Sequence, residues 1–433
     1  MDEIKLYDHQ LKALEQTKER NRVAYYLDMG LGKTFVGSEK ANSFANKILI
    51  VCQKSKISDW IEHFNKYYPL TVFDLTKKKQ LDEYVHTVGK CVGVINYDLI
   101  YRRPALAWLT GFTLMLDESS IIQNETAKRS RFILGMFPEN VILLSGTPTA
   151  GKYENLWSQV KLLGWNISKK RYWEHYIETK WIENGGSGFQ IQVVTGYKNV
   201  DRLKSKLAEY GAVFMKSDEA FSLPEQVETE VNVRPSKDYR TFMKDSIITV
   251  NKLNVNVSGY KTGITAELVG DTTLTKRLYA RMLCGQYSTT KLEAFTDLIA
   301  GTEDRLIVFY NFKEEYELLH EICLKHTPNI STVNGDVKDL QAYSIYDDSI
   351  TLCQYQAGAM GLNLQLANKV IYFSLPERSE LFEQSKKRIH RIGQEKTCFY
   401  YYLMCKGTIE EDIKKTLETR KDYTDALFEK FDS

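Results

Sequence analysis

Short runs of β-branched, aromatic and other apolar residues punctuate the chain, and helically spaced apolar positions separate them. The runs Val23–Leu27, Lys47–Cys52, Cys91–Asn96, Thr113–Leu116 and Asn140–Leu144 predict one series of strands. The runs Leu306–Tyr310, Ile330–Val333, Ser349–Gln354, Lys369–Phe373 and Cys398–Met404 predict a second. Several are apolar without alternation, as strands covered on both faces should be. Strands that alternate with helices make parallel α/β units, so the fold class is α/β, with two lobes built on parallel sheets. Residues 166–290 read differently, being rich in Lys, Glu, Tyr and Trp and holding the flexible stretch Asn184-Gly-Gly-Ser-Gly188. Helices are expected at Asp201–Tyr210 and Tyr239–Val250, and residues 251–275 read as a hairpin or a loop. The expected domains are a lobe at 1–165, a mainly helical insertion and linker at 166–290, and a second lobe at 291–433.

Composition narrows the class. A chain of 433 residues is too long for one core and suits two domains. Its 43% apolar and 26% charged residues are ordinary for a globular protein, and no apolar run approaches the ~20 residues of a membrane span. The first residues, Met-Asp-Glu-Ile-Lys, lack a basic region followed by an apolar run, so no secretory signal is expected. Seven Cys without a C-x-x-C pair predict reduced thiols and a cytoplasmic setting. A net charge of +2, from 58 basic and 56 acidic residues, does not by itself predict nucleic-acid binding. A motor that grips a backbone in one cleft needs only local positive charge.

Candidate chemistry begins after the first strand, at Asp28-Met-Gly-Leu-Gly-Lys-Thr34. Glycines let backbone N–H groups close around phosphate oxygens, and the helix that follows offers its positive end. Lys33 is placed to reach the β- and γ-phosphates and Thr34 to bind Mg²⁺. The strict G-x-x-x-x-G-K-[ST] pattern fails, because Leu27 occupies the first glycine position. A second element, Thr113-Leu-Met-Leu-Asp-Glu118, is an apolar strand ending in two carboxylates. Asp117 is positioned to hold Mg²⁺ and Glu118 to polarise the attacking water. Far along the chain, Gln384-Ser-Lys-Lys-Arg-Ile-His-Arg-Ile-Gly-Gln394 spaces Arg388 and Arg391 for one face of a helix, where planar, permanently charged donors meet developing phosphate charge.

These residues, in this order, resemble the superfamily-two helicases, and among them the SWI/SNF-type DNA translocases in a short, phage-like form. The resemblance runs nearly the whole length. Leu6-Tyr-Asp-His-Gln10 resembles the adenine-reading Q motif, Asp28–Thr34 the D-E-M-G-L-G-K-T loop, and Ile48–Cys52 with Trp60 motif Ia. Val94–Tyr97 resembles motif Ib, Asp117–Ser120 the D-E-A-H box, and Leu144-Ser-Gly-Thr-Pro148 motif III. Further on, Leu306–Phe309 resembles motif IV, Val333-Asn-Gly335 the element after it, and Gly358–Leu364 motif V. The most discriminating match is His390-Arg-Ile-Gly-Gln394, and Gly407-Thr-Ile-Glu-Glu411 resembles the family's terminal G-T-I-E-E. Departures are Ser120 for the box His, Gln123 for a Lys, Gln53 for the motif Ia Pro, Tyr7 for a basic residue and Lys387 for an acid. None removes a group that hydrolysis requires.

The resemblance implies two RecA-like lobes, with ATP and Mg²⁺ between them and double-stranded DNA, plain or branched, as partner to a monomer. It assigns ATP to Gln10, Met29, Gly30, Leu31, Gly32, Lys33, Thr34 and Gly361, and Mg²⁺ to Thr34 and Asp117. Catalysis falls to Lys33, Glu118, Arg388 and Arg391, and coupling to Ser145, Thr147 and Gln384. Nucleic-acid contacts are expected from Lys54, Ser55, Asn96, Tyr97, Asn311 and Asn334. Hydrolysis then requires closed lobes, and opening gives a step along one strand. The insertion rests on the duplex or acts as a spacer. Two alternatives stay open: a strand-separating DNA or RNA helicase of the same superfamily, and an ATP-gated nucleic-acid clamp.

Overall fold

The structure, a computed structural model, describes residues 4–183, 190–255, 260–358 and 362–428. The chain divides into two compact units, Met1–Phe221 with Arg420–Ser433, and Ser222–Thr419.

Nine strands belong to the first unit: β1 (Arg22–Leu27), β2 (Lys47–Cys52), β3 (Val72–Asp74), β4 (Val92–Asn96), β5 (Phe112–Asp117), β6 (Asn140–Leu144), β7 (Ile177–Glu183), β8 (Gln190–Tyr197) and β9 (Ala212–Met215). All but β7 and β8 form one sheet, ordered β3-β4-β2-β5-β6-β1-β9, with every pairing parallel. Both faces are covered. Ala24 and Tyr26 join one apolar cluster, and Val23, Tyr25 and Leu27 join the other, the two-residue alternation of a strand buried on both sides. That double burial is why the sequence shows unbroken apolar runs here. Helices α1 (Asp8–Gln16), α2 (Lys33–Ser43) and α3 (Ile57–Tyr67) lie on the second face, which their residues Ala13, Val36 and Phe64 help to build.

The second unit holds β10 (Gln226–Val233), β11 (Ile247–Leu253), β12 (Lys261–Val269), β13 (Leu306–Tyr310), β14 (Ile330–Val333), β15 (Lys338–Asp339), β16 (Ile350–Gln354), β17 (Lys369–Tyr372) and β18 (Cys398–Cys405). Its sheet runs β10-β18-β17-β13-β16-β14-β15 and is parallel except for the short β15. The two-lobe, parallel-sheet α/β architecture is therefore present.

The expected domain limits require correction. Residues 166–290 are neither a separate body nor mainly helical. Helix Lys169–Tyr176 buries Tyr172 and Tyr176 in the first core, and β9 extends the first sheet beside β1. Strand β10 pairs along its whole length with β18 in the second sheet. Two antiparallel hairpins, β7–β8 and β11–β12, fill much of the rest. The helix expected at Tyr239–Val250 stops at Asp245, because Ser246 takes a left-handed φ of 60° and the β-branched run behind it becomes β11. The chain's last described turns also belong to the first unit. There Tyr153 donates its hydroxyl to the Tyr423 carbonyl (2.8 Å), and a Cβ on Gly151 would meet the Arg420 backbone.

All seven cysteines are buried and free. Among the described residues no helix is long and apolar enough to cross a membrane.

Candidate nucleotide site and its edges

Three neighbouring strands, β5, β6 and β1, run parallel, so the loops leaving them meet at one carboxyl edge. After β1 the chain turns through Gly30 (φ 84°) and Gly32 (φ 73°), backbone that L side chains rarely adopt. At Gly32 space is closed as well, because a Cβ there would lie 2.1 Å from Gln10 Nε2. Lys33 opens α2 and folds its ammonium back over the loop, donating to the carbonyls of Leu27 (2.9 Å) and Asp28 (3.3 Å). Asp28 braces the loop: one carboxylate oxygen accepts the Met29 N–H (2.8 Å) and the other the Ser217 hydroxyl (2.9 Å). The Thr34 hydroxyl makes no hydrogen bond among the described residues.

At the end of β5, Asp117 accepts the Trp60 indole N–H at 2.8 Å on Oδ2, and its Oδ1 has no hydrogen bond among the described residues. Burial pushes its carboxyl above the ordinary carboxylate range, and the Trp60 N–H opposes that shift. The next residue, Glu118, adopts a left-handed φ of 59°. Such a backbone costs on the order of 1–3 kcal/mol in a non-glycine residue. The surroundings offset it: Glu118 Oε1 accepts hydroxyls from Ser145 (2.7 Å) and Ser120 (3.1 Å), and hydrogen bonds to a charged group contribute about 1.5–3 kcal/mol each.

The third loop, after β6, closes the group. Ser145 Oγ donates to Glu118 while accepting the Thr147 N–H (3.1 Å). A Cβ on Gly146 would sit 3.3 Å from Lys33 Nζ, so this loop packs directly on the lysine. Thr147 is buried, and its hydroxyl has no hydrogen-bond partner among the described residues. Gln10 is also fastened to the phosphate loop: its amide donates to the Leu31 carbonyl (3.1 Å) and accepts the Tyr7 N–H (2.9 Å). The structure thus gathers Gln10, Met29–Thr34, Asp117, Glu118, Ser145 and Thr147 in one unit.

Three residues that matter here were not singled out from the sequence as site residues. Asp28 begins the quoted loop and Trp60 stands beside motif Ia, so both had a signal. Ser217 has none, because it reaches Asp28 only through the placement of β9.

The edge residues need corrections. Tyr97, expected on nucleic acid, is buried and donates its hydroxyl to the Asp117 carbonyl (2.9 Å), propping the acidic pair from below. Asn96 is likewise buried at the end of β4. Asn311 spends its amide on Ser374 Oγ (2.8 Å) and the Leu375 carbonyl (3.1 Å). Asn334 accepts the N–H groups of Asp336 and Val337, which is turn chemistry. Lys54 and Ser55 are exposed on the turn after β2.

In the second unit the arginine segment is not a helix. Helix Ser379–Lys386 ends before Arg388, and residues 387–393 form turns. A long-range partner takes one carbonyl that would continue it, and Gln394 ties the turn to the segment before β17. Leu364 N–H donates to the Arg388 carbonyl (3.2 Å), and the buried Gln394 amide donates to those of Ala367 (2.8 Å) and Gln365 (3.1 Å) and, more weakly, Ile389 (3.4 Å). Gly393, at φ 91°, completes the turn. Arg388 is buried, with Nη1 on the Leu362 carbonyl (3.3 Å). Arg391 is half-buried, and burial lowers its guanidinium pKa from the ordinary value. Gln384 is buried within the helix and bonds Glu380 (3.5 Å). Gly361 lies outside the described residues.

Two family models together match most of the chain. Residues 290–393 match the helicase conserved C-terminal domain. The ISWI chromatin-remodeling complex ATPase ISW2 of Saccharomyces cerevisiae is 22% identical over 94% of this chain and 40% of its own length. Mouse DNA repair and recombination protein RAD54B is 22% identical over 89% of this chain and 51% of its own. The chain therefore spans about half or less of these relatives. A solved SWI2/SNF2 ATPase core of Sulfolobus solfataricus, in complex with dsDNA, covers 98% of this chain and 92% of its own at TM-score 0.44 and 20% identity. Because residues 14–287 match the SNF2-related domain, more than half of its length, the chain belongs to the SNF2-related family of helicase-type ATPases.

Proposed function

We propose that the chain is an ATP-driven translocase on double-stranded DNA. The observation that carries the chemical half is Glu118, held in a left-handed backbone and hydrogen-bonded to Ser145, next to Asp117 and beside the Lys33 loop. Strain of this kind persists where surrounding contacts over-determine it, and it marks a group whose direction matters. In this reading Lys33 neutralises phosphate charge, and Glu118 orients and polarises the attacking water. Thr34 and the open oxygen of Asp117 would hold Mg²⁺, which supplies charge neutralisation between the phosphates. Ser145 reports the state of Glu118 to the loop that carries Thr147. Arg388 and Arg391 come from the other unit to the γ-phosphate, so that turnover needs the lobes closed. The DNA half rests on family membership and on a relative named for DNA repair and recombination.

One experiment decides the partner. ATPase rate is measured without nucleic acid and with single strands, duplex DNA, duplex RNA and branched DNA, each across a salt series. The expected result is stimulation by duplex DNA that weakens steeply with salt, because phosphate contacts release counterions. Displacement of a third strand from duplex DNA without unwinding separates a translocase from a strand-separating helicase. Binding without turnover identifies a clamp. Stimulation by RNA alone, or a flat salt response, overturns the duplex-DNA reading.

A further inference from the structure

The β7–β8 hairpin leaves the first core as a two-stranded ribbon, and such ribbons are marginal alone in water. Beside it runs helix Lys169–Tyr176, and the two enclose a groove of about 820 Å³ lined by Lys169, Lys170, Trp173 and Lys198, with Glu174 and Glu178 as the acidic members. Charge is locally biased. Residues 169–183 and 190–198 hold five basic groups (Lys169, Lys170, Arg171, Lys180, Lys198) against three acidic ones (Glu174, Glu178, Glu183). That excess of two equals the net charge of the entire 433-residue chain. Lys169 pairs with Glu125 and lies over the Trp173 ring (5.8 Å), and Lys170 lies 3.9 Å from Glu174. Lys180 and Lys198 are exposed and make no ion pair among the described residues.

Lys180 belongs to one strand face, and on the opposite face, that of Thr179, which lines the groove, stands Trp181, an indole left 59% exposed. Its register partner is Gln192, which bonds Thr179 on the same face (2.8 Å). The indole therefore rises from polar neighbours and is not part of an apolar patch of the kind that marks a protein interface. An isolated exposed ring at the edge of a lysine-lined groove is the pattern that stacks on a base while lysines hold the backbone. A duplex hides the faces of its bases, whereas an unpaired nucleotide offers one.

Resting on the nucleic-acid reading above, we propose that this groove and the Trp181 face of the hairpin bind an unpaired strand adjoining a duplex. Lys170 and Lys198, which line the groove, contact phosphates, and Trp181 stacks on a base. The preferred substrate is then a tailed or branched DNA and not a blunt duplex.

The test uses the full chain and two labelled probes, a blunt duplex and the same duplex with a single-stranded tail. Anisotropy gives affinity across a salt series, and ATPase without DNA is measured alongside. The parent is expected to bind the tailed probe about 10-fold tighter, the value of one stacked base. Trp181→Ala should erase that difference and leave blunt-duplex affinity and DNA-free ATPase within twofold, whereas Trp181→Phe should restore most of it. Lys170→Ala with Lys198→Ala should flatten the salt slope for the tailed probe by about 0.7 per lost phosphate contact. Because these side chains are exposed, melting temperature should not move. If the parent binds duplex and the hairpin variants match it on both probes, this proposal is overturned and the translocase reading stands. A parent that binds neither probe overturns both. A hairpin variant that instead changes the oligomeric state assigns the ribbon to self-association, through the Ile182–Ile191 face, and overturns it as well.

Discussion

The first unit fastens its polar site groups to one another, and the second fastens Arg388 to its own backbone. Around the phosphate loop, Lys33 lies on loop carbonyls and against Gly146, Glu118 accepts Ser145, and Asp117 accepts Trp60. Three adjacent parallel strands deliver these groups, so their mutual placement follows from sheet register. Arg388 and Arg391 depend instead on a turn past a helix end, kept in shape by Gln394 and Leu364. A preorganised acidic and basic set serves binding and water placement. A guanidinium on a separate unit can contribute only when that unit is in place, which suits an interaction made in the transition state. The difference suggests how binding and turnover are divided between the two halves.

Substitutions in the first set should have the largest effects. Lys33→Ala should lower hydrolysis by about 10³-fold, because the variant loses the ammonium that lies over the phosphate loop. Glu118→Gln keeps the shape and loses the basic oxygen. It should bind ATP normally and turn over about 10²–10³-fold more slowly in single-turnover assays. Near-parental ATPase in either folded variant breaks the assignment of this edge as the site.

Arg391→Ala should come next and sharpen the contrast. The expected loss in DNA-free turnover is about 10²-fold, with ATP affinity changed less than threefold. Arg391→Lys should recover little, since an ammonium lacks the planar fork. If Arg391→Ala instead weakens only DNA binding, with full turnover at saturating DNA, the turn is a DNA grip and the division of labour proposed here is wrong.

Much of the first unit was legible because its strands are buried on both faces and so read as plain apolar runs. All five strands expected there are present, as are all five of the second series. The missed strands explain themselves. Gln-Val-Glu-Thr-Glu-Val-Asn-Val in β10 is half charged or polar and pairs on one side only, at the sheet's edge. The arginine turn was illegible for a different reason. Its sequence has helical spacing up to Arg391, but the Arg388 carbonyl that would continue the helix accepts the Leu364 N–H, a partner brought by the tertiary fold. Tyr97 shows a similar limit: its place in motif Ib pointed outward to nucleic acid, but its hydroxyl turns under Asp117.

The smallest expected effect concerns the packing behind the acidic pair. His63 and Trp60 share α3, and the His63 ring packs against Phe35, Trp60, Phe64, Tyr67 and Tyr68 while Nε2 meets Ser38 Oγ at 2.9 Å. Burial pushes its pKa from 6.5 down to about 4. The sign follows directly. Below the unfolded value the unfolded chain takes up a proton that the folded ring resists, so stability falls as pH drops from 6.5 towards 4 and is unaffected above that window. The slope is bounded by about 2–4 °C of melting temperature per pH unit. Asp59 and Glu62 on α3 and Glu39 on α2 also face this cluster, so the comparison is made against a variant that keeps them. His63→Gln keeps a hydrogen-bonding group for Ser38 and removes the titration. Melting curves at pH 7, 6, 5 and 4.5 should therefore run flatter in the variant than in the parent between pH 6.5 and 5. Because α3 also carries the indole that holds Asp117, parental ATPase should decline faster than the variant's in that window. Parallel melting profiles in the two proteins would show that the ring titrates as freely folded as unfolded, and that the packing behind Asp117 is looser than the hydrogen bond to Trp60 implies.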